Sequence, residues 1–293
     1  MRSSRRNGFV PVVLGLALSL SGWLTPATAV AGPSDRPVDV VAHAGGLAAA
    51  PQNTVAAVRT AIRHGADVIE NDVQVTADDK LVVLHNTSLA ATTNVEEVFP
   101  DRAPWNVGDF TLTEIRRLDA GSWFSPGFAG ERVPTLREWA KAVGDDARML
   151  IEAKTPELYP GMETLVAREL ATRPVFLRAL RQDRLVVMSF NHPWLRALHD
   201  LAPDVPVGMI FSYYPSPGEL RVAARWVEYA VPAISVVDET TVQLMRRLGM
   251  RVDIWTVNTP DEVRLAVGWG ADGVITDVPR AVHHVLRRMR VAG

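Results

Sequence analysis

An alternation of short apolar runs with helical stretches limits this chain more than any other feature. The runs at 38–42, 66–75, 81–85, 149–153, 185–190, 205–211, 233–237, 251–257 and 273–276 read as strands. Between them, 54–63, 135–143, 160–180, 193–201, 218–229, 239–248, 260–268 and 279–290 carry helical spacing, with Asn53 or Thr54 as the first N-cap and Gly65 as the first stop. Apolar strands joined through helices make a parallel sheet covered on both faces. The predicted class is therefore α/β. A doubly wound sheet more often carries a G-x-G-x-x-G turn after its first strand, and His43-Ala44-Gly45-Gly46 does not fit that pattern. The expected architecture is a (β/α)8 TIM barrel, although nine strand candidates are one more than it needs. Residues 86–134, rich in Thr, Pro, Gly, Trp and Phe, interrupt the alternation and read as an insertion after the third strand, with one short helix near 113–118.

The first residues do not belong to that pattern. Arg2, Arg5 and Arg6 precede an uncharged stretch from Gly8 to Leu24, and small residues follow at Ala27, Ala29 and Ala31. This order of basic, apolar and small residues is that of a secretory signal peptide, predicted over 1–29 with cleavage near Ala29 or Ala31. The brevity of the apolar run and the flanking Pro11 and Pro26 argue against a membrane anchor. The predicted domain is then 30–293, and the expected location is outside the cell or in the envelope. Removing residues 1–29 takes three arginines away and moves the formal charge from −2 to −5 over 264 residues. Such a chain does not bind nucleic acid through its overall charge, so any phosphate site must be local. The absence of cysteine excludes disulfides, thiolate zinc sites, iron–sulfur clusters and thiol nucleophiles.

Polar residues gather where the predicted strands end. His43 closes the first strand, Glu70 and Asp72 lie in the second, His85 ends the third, and Glu152 and Lys154 close the fourth. Residues two apart on a strand point to one face, so each of the pairs Glu70/Asp72 and Glu152/Lys154 can aim together. Three carboxylates without cysteine form a hard oxygen site suited to Mg²⁺ or Ca²⁺. Two histidines beside such a cation have the pKa range for acid–base catalysis, and a lysine adds positive charge for an anion such as phosphate. Any one of these groups alone would as readily be a cap, an ion pair or a satisfied core residue. Six of them at the ends of four successive strands point to a site.

Longer stretches carry a resemblance. They are His43-Ala44-Gly45, Pro51-Gln52-Asn53-Thr54, Gly65 through Thr76, Val83-Leu84-His85-Asn86, Leu118 through Phe124, Val133 through Leu136, Ile151-Glu152-Ala153-Lys154, Ser189-Phe190, Trp255 through Asn258, and Gly270 through Pro279. In this order the chain resembles the glycerophosphodiester phosphodiesterases over nearly all of its length after the leader. The resemblance implies a (β/α)8 barrel with an insertion at about 86–134. It implies that Glu70, Asp72 and Glu152 hold a divalent cation, Ca²⁺ or Mg²⁺, and that His43 and His85 are the general acid/base pair. Lys154 would hold the phosphate, and Phe190 and Trp255 would line the glycerol side. The implied substrate is a small-molecule glycerophosphodiester, hydrolysed to glycerol 3-phosphate and an alcohol, with no obligate protein partner. The aromatic-rich stretches 86–134 and 212–218 keep a lysophospholipase D-type hydrolase, acting on a lysophospholipid or envelope lipid, as an alternative. A catalytically weak barrel that binds phosphodiesters or lipid is the other.

The sequence departs from the family pattern at four places. Ala44 stands where the family has an arginine that contacts the phosphate, Gln52 replaces a glutamate, Asn86 an aspartate, and a downstream arginine is missing near Ala91. Loss of a bidentate phosphate contact costs on the order of 10²- to 10³-fold in rate. The metal triad, both histidines and Lys154 all remain. The expectation is a hydrolase with altered phosphate recognition.

Overall fold

The computed structural model describes residues 37–292. The predicted signal peptide and its cleavage site lie outside the described residues. Among the described residues there are nine strands: β1 (Asp39–Ala42), β2 (Val68–Val75), β3 (Leu81–Val83), β4 (Arg148–Ala153), β5 (Leu185–Ser189), β6 (Val207–Phe211), β7 (Tyr229–Pro232), β8 (Arg251–Ile254) and β9 (Gly273–Thr276). Eight of them are parallel neighbours around a ring, which β1 closes by pairing with both β2 and β9. The fold is the (β/α)8 barrel. The surplus strand is β3, which returns antiparallel along β2 through the turn at 76–80 and forms a hairpin rather than a stave. The insertion does follow the third strand in chain order, but it lies between the second and third staves.

Side-chain parity divides the core into two layers. Ile69, Met149, Ile151, Val187 and Val252 point outward, where they join Trp139, Phe176 and Leu195 beneath the helices. Val41, Val68, Leu150, Val186, Met188, Ile210, Val231 and Ile275 fill the barrel interior. The insertion has its own apolar centre in Leu89, Val95, Phe110, Ile115 and Leu118, so its path does not depend on the main core alone. Within it Trp105 donates its indole N–H to the Phe99 carbonyl, and Phe124 meets Trp123 and Phe128 edge to face, with centroids 5.7 and 5.6 Å apart. No helix among the described residues is long and apolar enough to cross a membrane.

Two sequence expectations need correction. The predicted strand at 233–237 is instead β7 at Tyr229–Pro232, and Ile234–Val236 forms a single 3-10 turn. The preceding helix accordingly stops at Ala223, not at 229. Both apolar runs have strand character; the ladder with Gly208–Phe211 on one side and Arg251–Val252 on the other selects the first. The predicted helix 160–180 is two helices, Met162–Thr172 and Pro174–Arg181. Proline holds its predecessor out of the helical region, and Arg173 is extended.

Local chemistry sets the first connection. Thr54 caps helix Val55–Arg63 by accepting from the Ala57 N–H at 3.2 Å, an arrangement worth about 1 kcal/mol. This leaves Asn53 free for another role. Gly45 has φ +84°, and a Cβ there would sit 2.6 Å from that of Ala57. Only glycine lets the first helix approach the strand end so closely.

Candidate active site

The C-terminal ends of the staves surround a cavity of about 130 Å³. One wall carries His43, Glu70, His85, Glu152 and Lys154. The other is apolar, formed by Met188, Phe190, Ile210, Val231, Trp255 and Ile275. Of the predicted site residues only Asp72 does not line the cavity; it lies fully buried just behind, within salt-bridge distance of Lys154. The register explains the polar wall. Asp72 pairs with Glu152 across the β2–β4 ladder, and parity then aims Glu70 into the interior beside them.

The three carboxylates each offer one oxygen within 4.8 Å of the others. Glu70 Oε1, Asp72 Oδ1 and Glu152 Oε1 are buried and have no hydrogen-bond partner. The opposite oxygens of two of them are fixed: the Ala44 N–H donates to Glu70 Oε2 at 2.6 Å, and Asn53 Nδ2 donates to Asp72 Oδ2 at 2.8 Å. Lys154 Nζ stands 3.0 Å from Glu152 Oε1 and 3.3 Å from Asp72 Oδ1, close enough for attraction but off the hydrogen-bonding direction. Buried carboxylate oxygens turned toward one another, with only the Lys154 ammonium beside them, fit a hard cation. Burial and the charge of Asp72 push Glu70 up to about 8 and Glu152 up to about 7. Asp72 is also buried, but Lys154, His85 and the Asn53 hydrogen bond hold it below the usual carboxylate range.

The two histidines differ in environment. Burial lowers His43, yet a 2.7 Å hydrogen bond from Nδ1 to Asp277 Oδ1 and the charges of Glu70 and Asp72 outweigh it, raising His43 to about 9. His85 is drawn below its ordinary value by burial, against the pull of Asp72 and with the push of Lys154 and His43. Gln74 steadies the backbone around His85, donating at 2.7 Å to the carbonyls of both Leu84 and Asn86 and accepting from the Tyr159 hydroxyl. Phe190 and Trp255 meet edge to face at 5.5 Å, and Lys154 Nζ lies 5.7 Å from the Phe190 ring centre.

Three residues of this site carry no role in the sequence reading: Asn53, Gln74 and Asp277. Asn53 is visible as a helix-cap candidate and in a matched stretch, Asp277 only as part of a matched stretch. Their partners lie 19 and 234 positions away, so no local pattern links them.

The model of the glycerophosphoryl diester phosphodiesterase family matches residues 43–281. The chain belongs to that family. Among its relatives, a glycerophosphodiester phosphodiesterase of Bacillus subtilis is 32% identical over 97% of this chain and 99% of its own. One from Caldanaerobacter subterraneus subsp. tengcongensis is 35% identical over 85% of this chain and 98% of its own. A phosphodiesterase of Oleispira antarctica, solved in complex with the product sn-glycerol-3-phosphate, has a TM-score of 0.73 and 25% identity over 86% of this chain and 97% of its own.

Proposed function

We propose that the chain hydrolyses glycerophosphodiesters to glycerol 3-phosphate and an alcohol. One observation carries this reading: three buried carboxylate oxygens without hydrogen-bond partners face one another beside two histidines and a lysine, at one cavity. Family membership supports it. Glu70, Asp72 and Glu152 would hold the divalent cation, Ca²⁺ or Mg²⁺, which supplies Lewis-acid polarisation of a phosphate oxygen when bound. Lys154 offsets charge on the phosphate. The diester loses its bond from phosphorus to the departing alcohol and gains one to the attacking oxygen. One of His43 and His85 takes the proton of the attacking oxygen, and the other gives a proton to the alcohol. Phe190 and Trp255 present ring surface to the C–H side of glycerol. Export would remove residues 1–29, whose order of basic, apolar and small residues supports a signal peptide, and the enzyme would act outside the cell or in its envelope.

Exposed aromatics at the rim favour a second substrate class. Phe190, Tyr213 and Tyr214 are 40%, 46% and 55% exposed on the segments that follow β5 and β6. They would give the acyl chain of a lysophospholipid apolar contact. The test is coupled detection of glycerol 3-phosphate from glycerophosphocholine with Ca²⁺, Mg²⁺ or EDTA. Release of choline from lysophosphatidylcholine is measured in parallel. Turnover that disappears with EDTA and in His43→Ala and His85→Ala supports the enzyme. Cation binding without turnover of either diester favours the binding barrel.

A further inference from the structure

We infer that Asp277 is a positioning residue for His43, and that Asn258 fixes Asp277 in turn. The inference rests on the proposed acid–base role of His43 and adds which ring nitrogen performs it. Asp277 Oδ1 is 2.7 Å from His43 Nδ1. A carboxylate only accepts, so Nδ1 carries the hydrogen of that bond. The two residues open onto different spaces. His43 lines the catalytic cavity, whereas Asp277 lines an outer groove that Ala48, Ala49, His64 and helix Pro279–Ala292 share. The carboxylate therefore grips the ring from behind and leaves Nε2 for the cavity side.

The grip is itself held. Asn258 Nδ2 donates to Asp277 Oδ2 at 2.7 Å, and Asn258 Oδ1 accepts from the Thr276 hydroxyl at 3.0 Å and from the Asp277 N–H at 2.9 Å. With both its amide groups engaged, Asn258 has only one orientation that satisfies them all, which fixes the carboxylate plane. The chain of contacts runs across three adjacent staves: Asn258 follows β8, Asp277 follows β9 and His43 follows β1. A histidine that exchanges protons with substrate has to present one nitrogen in one orientation, and a partner on the other nitrogen is what sets both.

Asp277→Asn tests this without changing the size of the side chain. If its amide NH₂ faces His43, Nδ1 becomes the acceptor and the hydrogen moves to Nε2. If it faces Asn258, two NH₂ groups oppose each other. Either way the arrangement is lost. The expected result is a fall in kcat of about 100-fold or more, with KM changed less than about threefold. Asn258→Ala, which loosens the carboxylate but keeps it, is expected to lose about tenfold or less. ¹⁵N NMR of the histidine rings provides a readout independent of turnover. In chelator-treated protein, at a pH high enough that the ring is neutral, the His43 signal, identified by its absence in His43→Gln, shows hydrogen on Nδ1 in the parent chain and a shift of that hydrogen toward Nε2 in Asp277→Asn. Near-normal kcat in Asp277→Asn would overturn the inference, as would a parent His43 without hydrogen on Nδ1. A fall in kcat fully accounted for by the unfolded fraction at the assay temperature would also overturn it. If the parent chain turns over no diester, the proposed function fails, and the NMR comparison still decides how Asp277 holds His43.

Discussion

The backbone N–H of Ala44 donates to Glu70 Oε2 at 2.6 Å, so residue 44 supports the carboxylate triad through its main chain. Ala44 has φ 46°, in the left-handed region, within the turn that also holds His43. Ala44, where the family resemblance implies an arginine that contacts the phosphate, thus leaves the carboxylate anchored through the main chain.

Ala44→Arg should therefore act on the phosphate alone. The expected outcome is an increase in kcat/KM for glycerophosphocholine of about tenfold or more, with cation affinity unchanged within about twofold. Steady-state kinetics and isothermal titration calorimetry check the two halves. Unchanged kinetics would mean that this chain recognises phosphate by other groups. Ala44→Pro, which has no N–H and cannot adopt a positive φ, should weaken cation binding instead.

Removing one carboxylate should separate cation binding from stability. In Glu152→Gln the triad loses a charge that burial and Asp72 already disfavour. The cation-free variant is expected to melt at or above the temperature of the parent chain, while cation affinity falls by about 100-fold. Melting curves in EDTA and with added Ca²⁺ measure both. The parent chain should gain stability from the cation by mass action, and the variant should not.

Gln74 gives a test of how His85 is placed. Gln74→Leu leaves the Leu84 and Asn86 carbonyls and the Tyr159 hydroxyl without that partner, at a cost of about 1–3 kcal/mol. A loss in kcat of about tenfold with little change in cation affinity is expected. Unaltered kcat would show that β3 and the insertion hold His85 without this bond.

Charged groups toward the N-terminal ends of the staves set a pH dependence away from the site. Asp253 is buried, and burial raises it to about 7, Arg251 opposing and Asp39 and Asp272 reinforcing the shift. The folded protein keeps this proton up to about pH 7, whereas the unfolded chain releases it near 3.8. Stability contributed by the neutral form is thus full below 3.8 and lost as pH rises toward 7, on the order of 4 kcal/mol in total. Asp253→Asn should raise the melting temperature by several degrees at pH 8 and hardly at all at pH 4. Equal gains at both values would rule out titration of Asp253 as the cause.

Much of the site was legible because a strand has a period of two. Glu70 with Asp72 and Glu152 with Lys154 fall on one face by spacing alone, and the barrel does turn those faces inward. The departures at 44, 52, 86 and 91 were legible only through the family resemblance. What could not be read was which of two apolar runs becomes the seventh stave. Tyr229–Pro232 and 233–237 have similar local character, and the neighbouring staves decide between them.

By itself the sequence determined the alternation of strands and helices, the inward carboxylates and the chemistry available at the strand ends. These are encoded locally, by periodicity and residue type. Only the tertiary structure decided that β3 is a hairpin outside the ring, that Asn53 leaves the helix cap to hold Asp72, and that Asp277 sits behind His43. Those relationships depend on closure of the barrel, which brings β9 beside β1 across 234 positions of chain. Local propensity carries no information about a partner that distant; the geometry of the closed ring supplies it.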